Sequence, residues 1–433
     1  MSVRLVHVEA RPGEEARAAA EVRALAPAPP AVEEDVRAVV AAVRERGDSA
    51  VRELTARFDR ADVPPERLRV EPEEIESALR ALEPGLRRAL ETAIANVRAV
   101  ARASLHEGIE VQFPAGQRVE VVELPVRRAG AYVPGGRAPY ASTVVMCAVT
   151  AREAGVDELA VCAPPGPGGE AHPTILAACA VCRVAEVYRM GGAQAIAALA
   201  YGTETVPPVD VLVGPGSAYV QEAKRQAFGR VGLDGIAGPS ELVVVASEGA
   251  DAEIAALDLL AQAEHGAGSL TAFVTDTPRQ LAGLEEALGA AQPIGREGGE
   301  AGAAMPALAI VHAPDPASAV RIGDLIAPEH MQLMGDEVEA LAPEVRTAGA
   351  LFVGREAATA FGDYVAGSNH VLPTGGAARH ASMLSVATFR RRMARIHVPA
   401  NAAAQLAPAG AALARAEGFS LHAESMERRV ERQ

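Results

Sequence analysis

Apolar residues recur at helical spacing over the first hundred residues of the chain. The segments 32–59 and 72–105 place apolar side chains three or four positions apart with charged residues between them, which predicts amphipathic helices. Residues 1–25 are charged and rich in alanine, and they predict a small N-terminal helical segment. The Pro-rich stretch 26–35 predicts a connecting segment between this helical segment and the helices that follow. None of these patterns is typical of a catalytic site.

From about residue 119 onward, short apolar runs alternate with helical segments. Strands are predicted at 119–135, 158–164, 186–192 and 209–216, with helices at 141–155, 171–185 and 192–201. The alternation then restarts, with strands at 241–247, 270–276, 306–313, 330–334 and 350–354 and helices at 251–265, 277–289, 314–326 and 336–348. Such alternation indicates βαβ units, which form parallel sheets with helices on both faces.

The predicted fold class is therefore α/β, with two successive Rossmann-like sheets that are incomplete and doubly wound, and with small helical segments at both ends of the chain. One domain is expected from residues 26–131 and 239–380, and a second from 132–238. Residues 296–304 predict a loop, and residues 381–433 predict a helical C-terminal tail.

Composition narrows the class of protein. A chain of 433 residues with 49% hydrophobic residues is long enough for two or three domains with a sizeable core. The net charge of −15 argues against nucleic acid or a membrane surface as a partner. The N-terminus lacks the apolar core of a signal peptide, and no uncharged run reaches the ~18–20 residues of a membrane span. We therefore expect a cytoplasmic protein.

The cysteines and the single lysine exclude some chemistry. Cys147 and Cys162 lie in aliphatic runs, and Cys179 and Cys182 form one CxxC in an apolar helical pattern. A single CxxC is a weak zinc signal, so burial of four small thiols is the favoured interpretation. Lys224 is the sole lysine of the chain, which makes Schiff-base chemistry a poor candidate.

Two glycine-rich turns lie between predicted strands and helices, in YVPGGRAPYAS (132–142) and VGPGSAYV (213–220). Backbone N–H groups at such turns can bind phosphate. Glycines also form ordinary turns, and the full GxGxxG pattern is absent from the sequence, so these motifs alone are a weak dinucleotide signal.

Polar residues gather in four segments of the second half, where seven of the ten histidines lie. Gln262, Glu264 and His265 occupy the last turn of a predicted helix, a place where polar residues also serve simply as caps. The other segments contain Glu329 with His330, Asp363 with His370, and Glu417 with His422. Each pair alone is compatible with a solvated turn. Together the imidazoles, carboxylates and amide form a ligand set that suits zinc, with manganese or cobalt as substitutes.

Eight blocks, in this order, make the chain resemble the histidinol dehydrogenase family along nearly its whole length. They are GAYVPGGRAPYASTVVM, MGGAQAIAALAYGT, GPGSAYVQEAKRQ, AGPSELVVVA, DLLAQAEH, IAPEHMQL, FGDYVAGSNHVLPT and AEGFSLHAES. The resemblance implies an oxidoreductase of histidine biosynthesis that converts L-histidinol through L-histidinal to L-histidine. It also implies two NAD per turnover, one zinc ion per subunit and a homodimer.

The resemblance also implies roles for individual residues. The implied zinc ligands are Gln262, His265, Asp363 and His422. The implied catalytic pair is Glu329 and His330. The implied substrate contacts are Ser240, His370 and Glu417, together with His330 and the four zinc ligands. The implied NAD contacts are Tyr132, Gln194 and Ser217.

Position 217 departs from the family pattern, which has Asn in the GPGN turn. Ser217 keeps a hydroxyl but lacks the paired donor and acceptor of an amide, so we expect NAD binding to be weakened or rearranged there without loss of activity. The resemblance further implies that the tail bearing Glu417 and His422 crosses to the other subunit of a symmetric dimer, so that each active site is shared.

The residue types suit two successive oxidations. A histidine such as His330, with a reference pKa near ~6.5, can accept the alcohol proton, and Glu329 can activate the water that the aldehyde must take up. The cysteines lie outside polar loops, so a thiol nucleophile is disfavoured. Two other functions stay open: a zinc hydrolase in which Glu329 activates metal-bound water, and a non-catalytic two-domain binding protein of the hinge type.

Overall fold

A computed structural model describes residues 4–27, 30–135, 138–266, 268–290 and 307–430. Within these residues the chain forms two parallel sheets covered by helices and one small antiparallel sheet. The predicted α/β class is therefore confirmed. The predicted loop 296–304 lies outside the described residues.

The N-terminal region is not entirely helical. It begins with strand β1 (Arg4–Glu9), followed by α1 (Glu15–Arg23), α2 (Glu33–Arg46), α3 (Asp48–Phe58), α4 (Pro72–Ala81) and α5 (Pro84–Ala103). Each long predicted helix is therefore two helices. Gly47 separates the first two with a φ of 54°, which favours glycine, and Pro84 starts a new helix because proline suits the first helical position.

The first parallel sheet has the strand order of an incomplete Rossmann fold. Its strands are β4 (Arg128–Tyr132), β5 (Glu158–Ala163), β6 (Glu186–Arg189), β7 (Val211–Val213) and β8 (Gly232–Leu233). They alternate with α6 (Ala141–Glu153), α7 (Pro173–Val181), α8 (Gly192–Tyr201) and α9 (Ala218–Ala227). The spatial order β6-β5-β4-β7-β8 reverses between β4 and β7, where such sheets bind ligands at the carboxyl ends of the strands.

Helices α2 to α5 cover this first sheet, which differs from the predicted grouping of 26–131 with 239–380. One core joins α4 and α5 to α6 and α7, and another joins α2 and α3 to α8 and α9. Strand β4 itself lies at the centre of the first sheet. The apolar stripes of these helices were visible in the sequence, but a stripe does not specify which sheet it covers.

The second parallel sheet repeats the same order and adds the N-terminal strand. Its other strands are β9 (Glu241–Ala246), β10 (Leu270–Thr275), β11 (Ala307–His312), β12 (His330–Met334) and β13 (Ala350–Val353). The accompanying helices are α10 (Ala252–Ala263), α11 (Pro278–Ala290), α12 (Pro316–Ile326), α13 (Asp336–Glu339) and α14 (Thr359–Tyr364). The spatial order is β1-β11-β10-β9-β12-β13, and β1 pairs in parallel with β11. The predicted helical segment 1–25 therefore supplies a strand and a helix to this sheet.

The C-terminal region also contains a strand that the sequence analysis missed. β14 (Arg390–His397) pairs with β3 (Arg118–Pro125), which pairs with β2 (Ile109–Gln112) in a three-stranded antiparallel sheet. Within residues 381–430, which the structure describes, the α-helices are α15 (Ala400–Ala416) and α16 (Ser420–Glu427), and a short 3-10 helix spans Val386–Phe389. These two helices pack chiefly on each other and form a small apolar cluster of their own. No helix in the described part of the chain is long and apolar enough to cross a membrane.

Candidate active site

Three predicted site residues meet at the amino ends of two neighbouring strands in the second sheet. Ser240 precedes β9, while Glu329 and His330 stand at the start of β12, and the two strands pair in parallel from His330 and Leu242 onward. The strand order reverses between these two strands. Ligands of open α/β sheets usually lie at the carboxyl ends, so this cluster occupies the opposite edge.

The Glu329 carboxylate is buried and held in one orientation. Its Oε2 accepts hydrogen bonds from the Ser240 hydroxyl at 2.5 Å and from the Glu241 backbone N–H at 2.9 Å. Burial raises the pKa of Glu329 above its usual value. A carboxyl group that is both fixed and shifted in this way is typical of general acid–base catalysis.

The His330 ring has a defined tautomer. Its Nδ1 lies 3.0 Å from the Glu241 carbonyl oxygen, which can only accept, so Nδ1 carries the proton and Nε2 is the basic nitrogen. Nε2 lies 3.4 Å from Asp363 Oδ1 and has no well-aligned hydrogen-bond partner among the described residues. Burial alone would lower the pKa of His330, but the Glu329 and Asp363 carboxylates outweigh it and raise the pKa to about 9.

His370 connects the site to the first domain. Its Nδ1 donates to the Asp363 carbonyl oxygen at 2.8 Å, so its Nε2 accepts from the Thr143 hydroxyl at 3.1 Å. Thr143 lies on α6, which covers the first sheet. Burial lowers the pKa of His370, so this ring is neutral at physiological pH. Sequence reasoning did not find Thr143, because an isolated threonine in an apolar helix resembles any other core residue.

Gln262 and His265 occupy the end of α10, as predicted. Gln262 is buried, and its Nε2 has no hydrogen-bond partner among the described residues. His265 follows the helix. Burial would raise the pKa of Asp363, but the contact with His330 outweighs it and lowers the pKa, with smaller electrostatic contributions from His370 and His265. An unpaired amide, an imidazole and a carboxylate in one region are a donor set that suits zinc.

The remaining predicted residues of this set, Glu417 and His422, lie in the C-terminal tail. Both side chains are exposed, and the His422 ring packs against Phe419 at 5.2 Å between centroids. The described residues contain no group of three His, Cys, Asp or Glu side chains that could hold a metal ion. The chain by itself therefore supplies only part of the predicted zinc set.

The predicted NAD residues lie at the carboxyl ends of the first sheet. Tyr132 ends β4, and its hydroxyl accepts from the Gly192 N–H at 3.3 Å. The Gln194 amide lies at the start of α8 and donates to Asp59 Oδ2 at 3.3 Å. Ser217 precedes α9, and its hydroxyl does not cap the helix. No N-cap side chain accepts from the first turn of α8 or α9, and the Tyr132 hydroxyl takes only the Gly192 N–H, so other N–H groups at these helix starts remain available to a phosphate.

The turn after β7 requires glycine. Gly214 has a φ of +112°, and a Cβ there would lie 2.1 Å from the Tyr132 carbonyl oxygen. The buried Lys224 ammonium donates to the Gly214 carbonyl at 3.0 Å, and Asp234 accepts from the Gly214 N–H at 2.7 Å. Lys224 and Asp234 also form an ion pair, so the single lysine of the chain holds this turn in place. A glycine-lined cradle of this kind fits a dinucleotide.

All four cysteines are buried, as predicted, and burial raises the pKa of each thiol far above the neutral range. A buried thiol that stays protonated is a poor nucleophile. A cysteine-based aldehyde oxidation is therefore disfavoured.

Two Rossmann-like sheets, with a glycine-lined turn at the carboxyl edge of one, are typical of dinucleotide-dependent oxidoreductases, and the comparisons with known proteins place the chain in this class. The histidinol dehydrogenase family model matches residues 26–430, and the chain belongs to that family. The chain is 43% identical over 402 residues to the histidinol dehydrogenase of Gluconobacter oxydans, covering 93% of each chain. It is 43% identical over 401 residues to that of Zymomonas mobilis, covering 91% of this chain and 92% of the relative. It also matches the crystal structure of histidinol dehydrogenase from Elizabethkingia anophelis with a TM-score of 0.91 and 28% identity, covering 99% and 98% of the two chains.

Proposed function

We propose that this chain oxidises L-histidinol through L-histidinal to L-histidine with two NAD, and that it uses one zinc ion per subunit. The observation that carries the proposal is the buried Glu329–His330 pair beside Asp363 and Ser240, in a chain of this family. A cytoplasmic location stays part of the proposal, because both oxidations draw on NAD.

In the first oxidation, His330 accepts the proton of the substrate hydroxyl at Nε2. The Nδ1 hydrogen bond leaves Nε2 as the nitrogen that loses its proton when the ring becomes neutral, and because the pKa of His330 is about 9, the share of the neutral form that can act as a base grows as the pH rises toward 9. The hydride on the same carbon leaves for the nicotinamide of NAD. The products are an aldehyde, a protonated His330 and NADH, which balances two electrons and one proton.

In the second oxidation, Glu329 accepts a proton from water, which adds to the aldehyde carbon. The Ser240 hydroxyl and the Glu241 N–H hold the carboxylate in place for this step. The addition leaves the hydrate as an anion. This anion loses its remaining hydroxyl proton to His330, which has released its first proton to solvent, and a hydride to a second NAD, which yields the carboxylate of histidine. The buried thiols leave no competing covalent route.

Gln262, His265 and Asp363 are the residues of this chain that would hold zinc, with His422 of the partner subunit. When bound, zinc would supply a positive centre that orients the imidazole and amino nitrogens of histidinol. His370 and Glu417 are proposed as further substrate contacts. Tyr132, Gln194 and Ser217 are proposed to contact NAD, supported by their position at the carboxyl edge of the first sheet.

We also propose that the active site is shared between two chains of a homodimer. The support is the tail itself, in which Leu413, Phe419 and Leu421 expose 67%, 52% and 77% of their surface. Helices with so much exposed apolar surface are suited to docking on a second molecule. The tail would then bring Glu417 and His422 to the site of the other subunit.

Single-turnover kinetics with Glu329→Gln tests the proposed chemistry. The variant should slow NADH formation from histidinal far more than NADH formation from histidinol, because water is needed only in the second oxidation. Equal slowing of both steps would contradict separate roles for the pair. NADH formation from histidinol by the wild type would also exclude a zinc hydrolase and a non-catalytic binding protein.

Mixed dimers test the shared site. His330→Ala and His422→Ala homodimers should each be nearly inactive. A mixed dimer with shared sites has one intact site, so co-expression of equal amounts should recover up to about a quarter of the wild-type activity by the two-fold symmetry of the pair. Recovery of nothing would show that each site is built within one chain.

A further inference from the structure

Each polar group of Glu241 makes a hydrogen bond to the segment that carries Glu329 and His330, or to a residue close to that segment. Its N–H donates to the Glu329 carboxylate at 2.9 Å, and its carbonyl oxygen accepts from His330 Nδ1 at 3.0 Å. Its buried carboxylate accepts from the Glu329 N–H at 3.2 Å and from the Gly375 N–H at 3.1 Å. Glu241 therefore fixes both members of the pair at once.

The guanidinium of Arg23, the last residue of α1, neutralises this carboxylate. Arg23 contacts both carboxylate oxygens of Glu241 through Nη1 and Nη2. Its Nε also donates to the Ile326 carbonyl, and Nη2 donates to the Ala327 carbonyl, each at 2.7 Å. One side chain thus binds Glu241 and the two residues that lead into the catalytic pair.

Ala327 shows why this segment needs an external support. It has a φ of 52°, a left-handed conformation that residues with a Cβ rarely adopt. Such a conformation persists only where the surrounding structure holds it. The hydrogen bonds from Arg23 to the carbonyls of Ile326 and Ala327 stabilise the backbone conformation at this position.

We propose that Arg23 is a positioning residue of the active site, acting through Glu241 and the 326–327 carbonyls to fix the geometry of Glu329 and His330. The inference rests on the proposed function for the roles of that pair. Arg23 lies before the residues matched by the family model, which begin at 26, so the family match itself does not point to it. The N-terminal strand and helix then help to position the active-site residues and also pack at one edge of the second sheet.

Lysine cannot replace arginine here. A guanidinium presents five N–H donors in a rigid fork and can bind a carboxylate and two carbonyls together, whereas an ammonium is a single point of charge. Loss of the guanidinium also leaves the buried Glu241 carboxylate without a counter-charge beside Glu329. We therefore expect the geometry of the pair to relax in both Arg23→Ala and Arg23→Lys, and more in the former.

The first experiment compares Arg23→Ala and Arg23→Lys with Arg17→Ala as the matched control. Arg17 lies on the same helix, but it is exposed and paired with Glu14 and Glu21. Because misplacement of reacting groups by ~1 Å can reduce rates about 100-fold, we expect Arg23→Ala to lower kcat about 10- to 100-fold. The KM for NAD should stay within about twofold, because the proposed NAD residues lie on the other sheet. Guanidinium ion should restore part of the kcat of Arg23→Ala and have no effect on Arg17→Ala.

A kcat for Arg23→Ala equal to that of Arg17→Ala would overturn the inference, even if the variant melts at a lower temperature. If Arg23→Ala does not fold, Arg23→Lys is decisive. Hydrogen exchange at the Glu329 and Gly375 amides should then be faster than in the wild type, and unchanged exchange with unchanged kcat would refute the proposal. Glu329→Gln measured in parallel with histidinal as substrate separates the two claims. Unchanged oxidation of histidinal by Glu329→Gln would remove the proposed role of Glu329, whereas slow oxidation by Glu329→Gln beside a normal Arg23→Ala would remove only this inference.

Discussion

Replacement of Asp59 by asparagine should stabilise the protein at neutral pH. Asp59 ends α3, packs against the loop before α8, and accepts a hydrogen bond from Gln194 at 3.3 Å. Burial raises the pKa of this carboxyl to about 6, and the Gln194 bond offsets only part of that rise. An asparagine keeps an oxygen acceptor for Gln194 but removes the charge that burial disfavours.

The sign and size follow from linkage between proton binding and folding. Between about pH 4 and pH 6 the folded chain holds a proton on Asp59 that the unfolded chain has lost, so stability falls as the pH rises through this window. A rise of about two units at about 1.4 kcal/mol per unit amounts to at most about 3 kcal/mol above pH 6. Asp59→Asn should recover up to this amount at pH 7.5 and almost none at pH 4.

Urea unfolding followed by circular dichroism at the two pH values provides the assay, because the chain contains no tryptophan for fluorescence. Asp62→Asn is the matched control: Asp62 is exposed, and its hydrogen bond to Arg52 lowers its pKa, so its replacement should give no gain at pH 7.5. An equal gain for Asp59→Asn at both pH values, or a loss at pH 7.5, would refute the reasoning. A destabilising buried charge beside Gln194 also suggests that the Asp59 carboxylate helps Gln194 to bind NAD. We therefore expect Asp59→Asn to raise the KM for NAD.

The two cofactor sites supply the remaining predictions. Ser217→Asn should lower the KM for NAD a few-fold, since the amide adds a donor and an acceptor; a KM that is unchanged would show that this turn does not contact NAD. Lys224→Arg should raise the KM for NAD with little change in substrate binding, because a guanidinium does not fit the buried site at the Gly214 turn. An unchanged NAD affinity in isothermal titration calorimetry would contradict this prediction. Replacement of all four cysteines by alanine or serine should leave oxidation of histidinal intact in a folded variant, and its loss would revive a thiol route. Chelation should abolish histidinol binding measured by calorimetry, and added zinc should restore it. At sub-saturating zinc the recovery should be smaller below pH ~6, where the imidazole ligands are protonated. Full binding of histidinol by metal-free protein would contradict the zinc assignment.

Local patterns in the sequence predicted most elements, because a buried strand or amphipathic helix is encoded in neighbouring residues. The strand–helix alternation from β4 to β13 is confirmed, and so is burial of the cysteines. Strands β1 and β14 were missed, since each forms only by pairing with a strand far along the chain. For the same reason the packing of α2 to α5 on the first sheet differs from the expected grouping of 26–131 with 239–380, because the partner of an apolar stripe is a tertiary property.

The site divides in the same way. Glu329 and His330 are adjacent in the sequence, and Gln262 and His265 are one helical turn apart, so short motifs carry the family resemblance that implies their roles. Residues that reach the site through tertiary contacts gave no such signal; they are Arg23, Asp59, Thr143, Glu241 and Asp234. Among these, only contacts in three dimensions distinguish a positioning residue from an ordinary surface or core residue.

The amount of NADH formed per histidinol tests the central claim most directly. Purified protein would be given zinc, excess NAD and a limiting, known amount of L-histidinol, and absorbance would be followed to completion with histidine measured in the same sample. The proposed chemistry predicts two NADH and one histidine for each histidinol consumed. One NADH with accumulated histidinal would contradict the assignment of both oxidations to this site, and no NADH at all would contradict the proposed function.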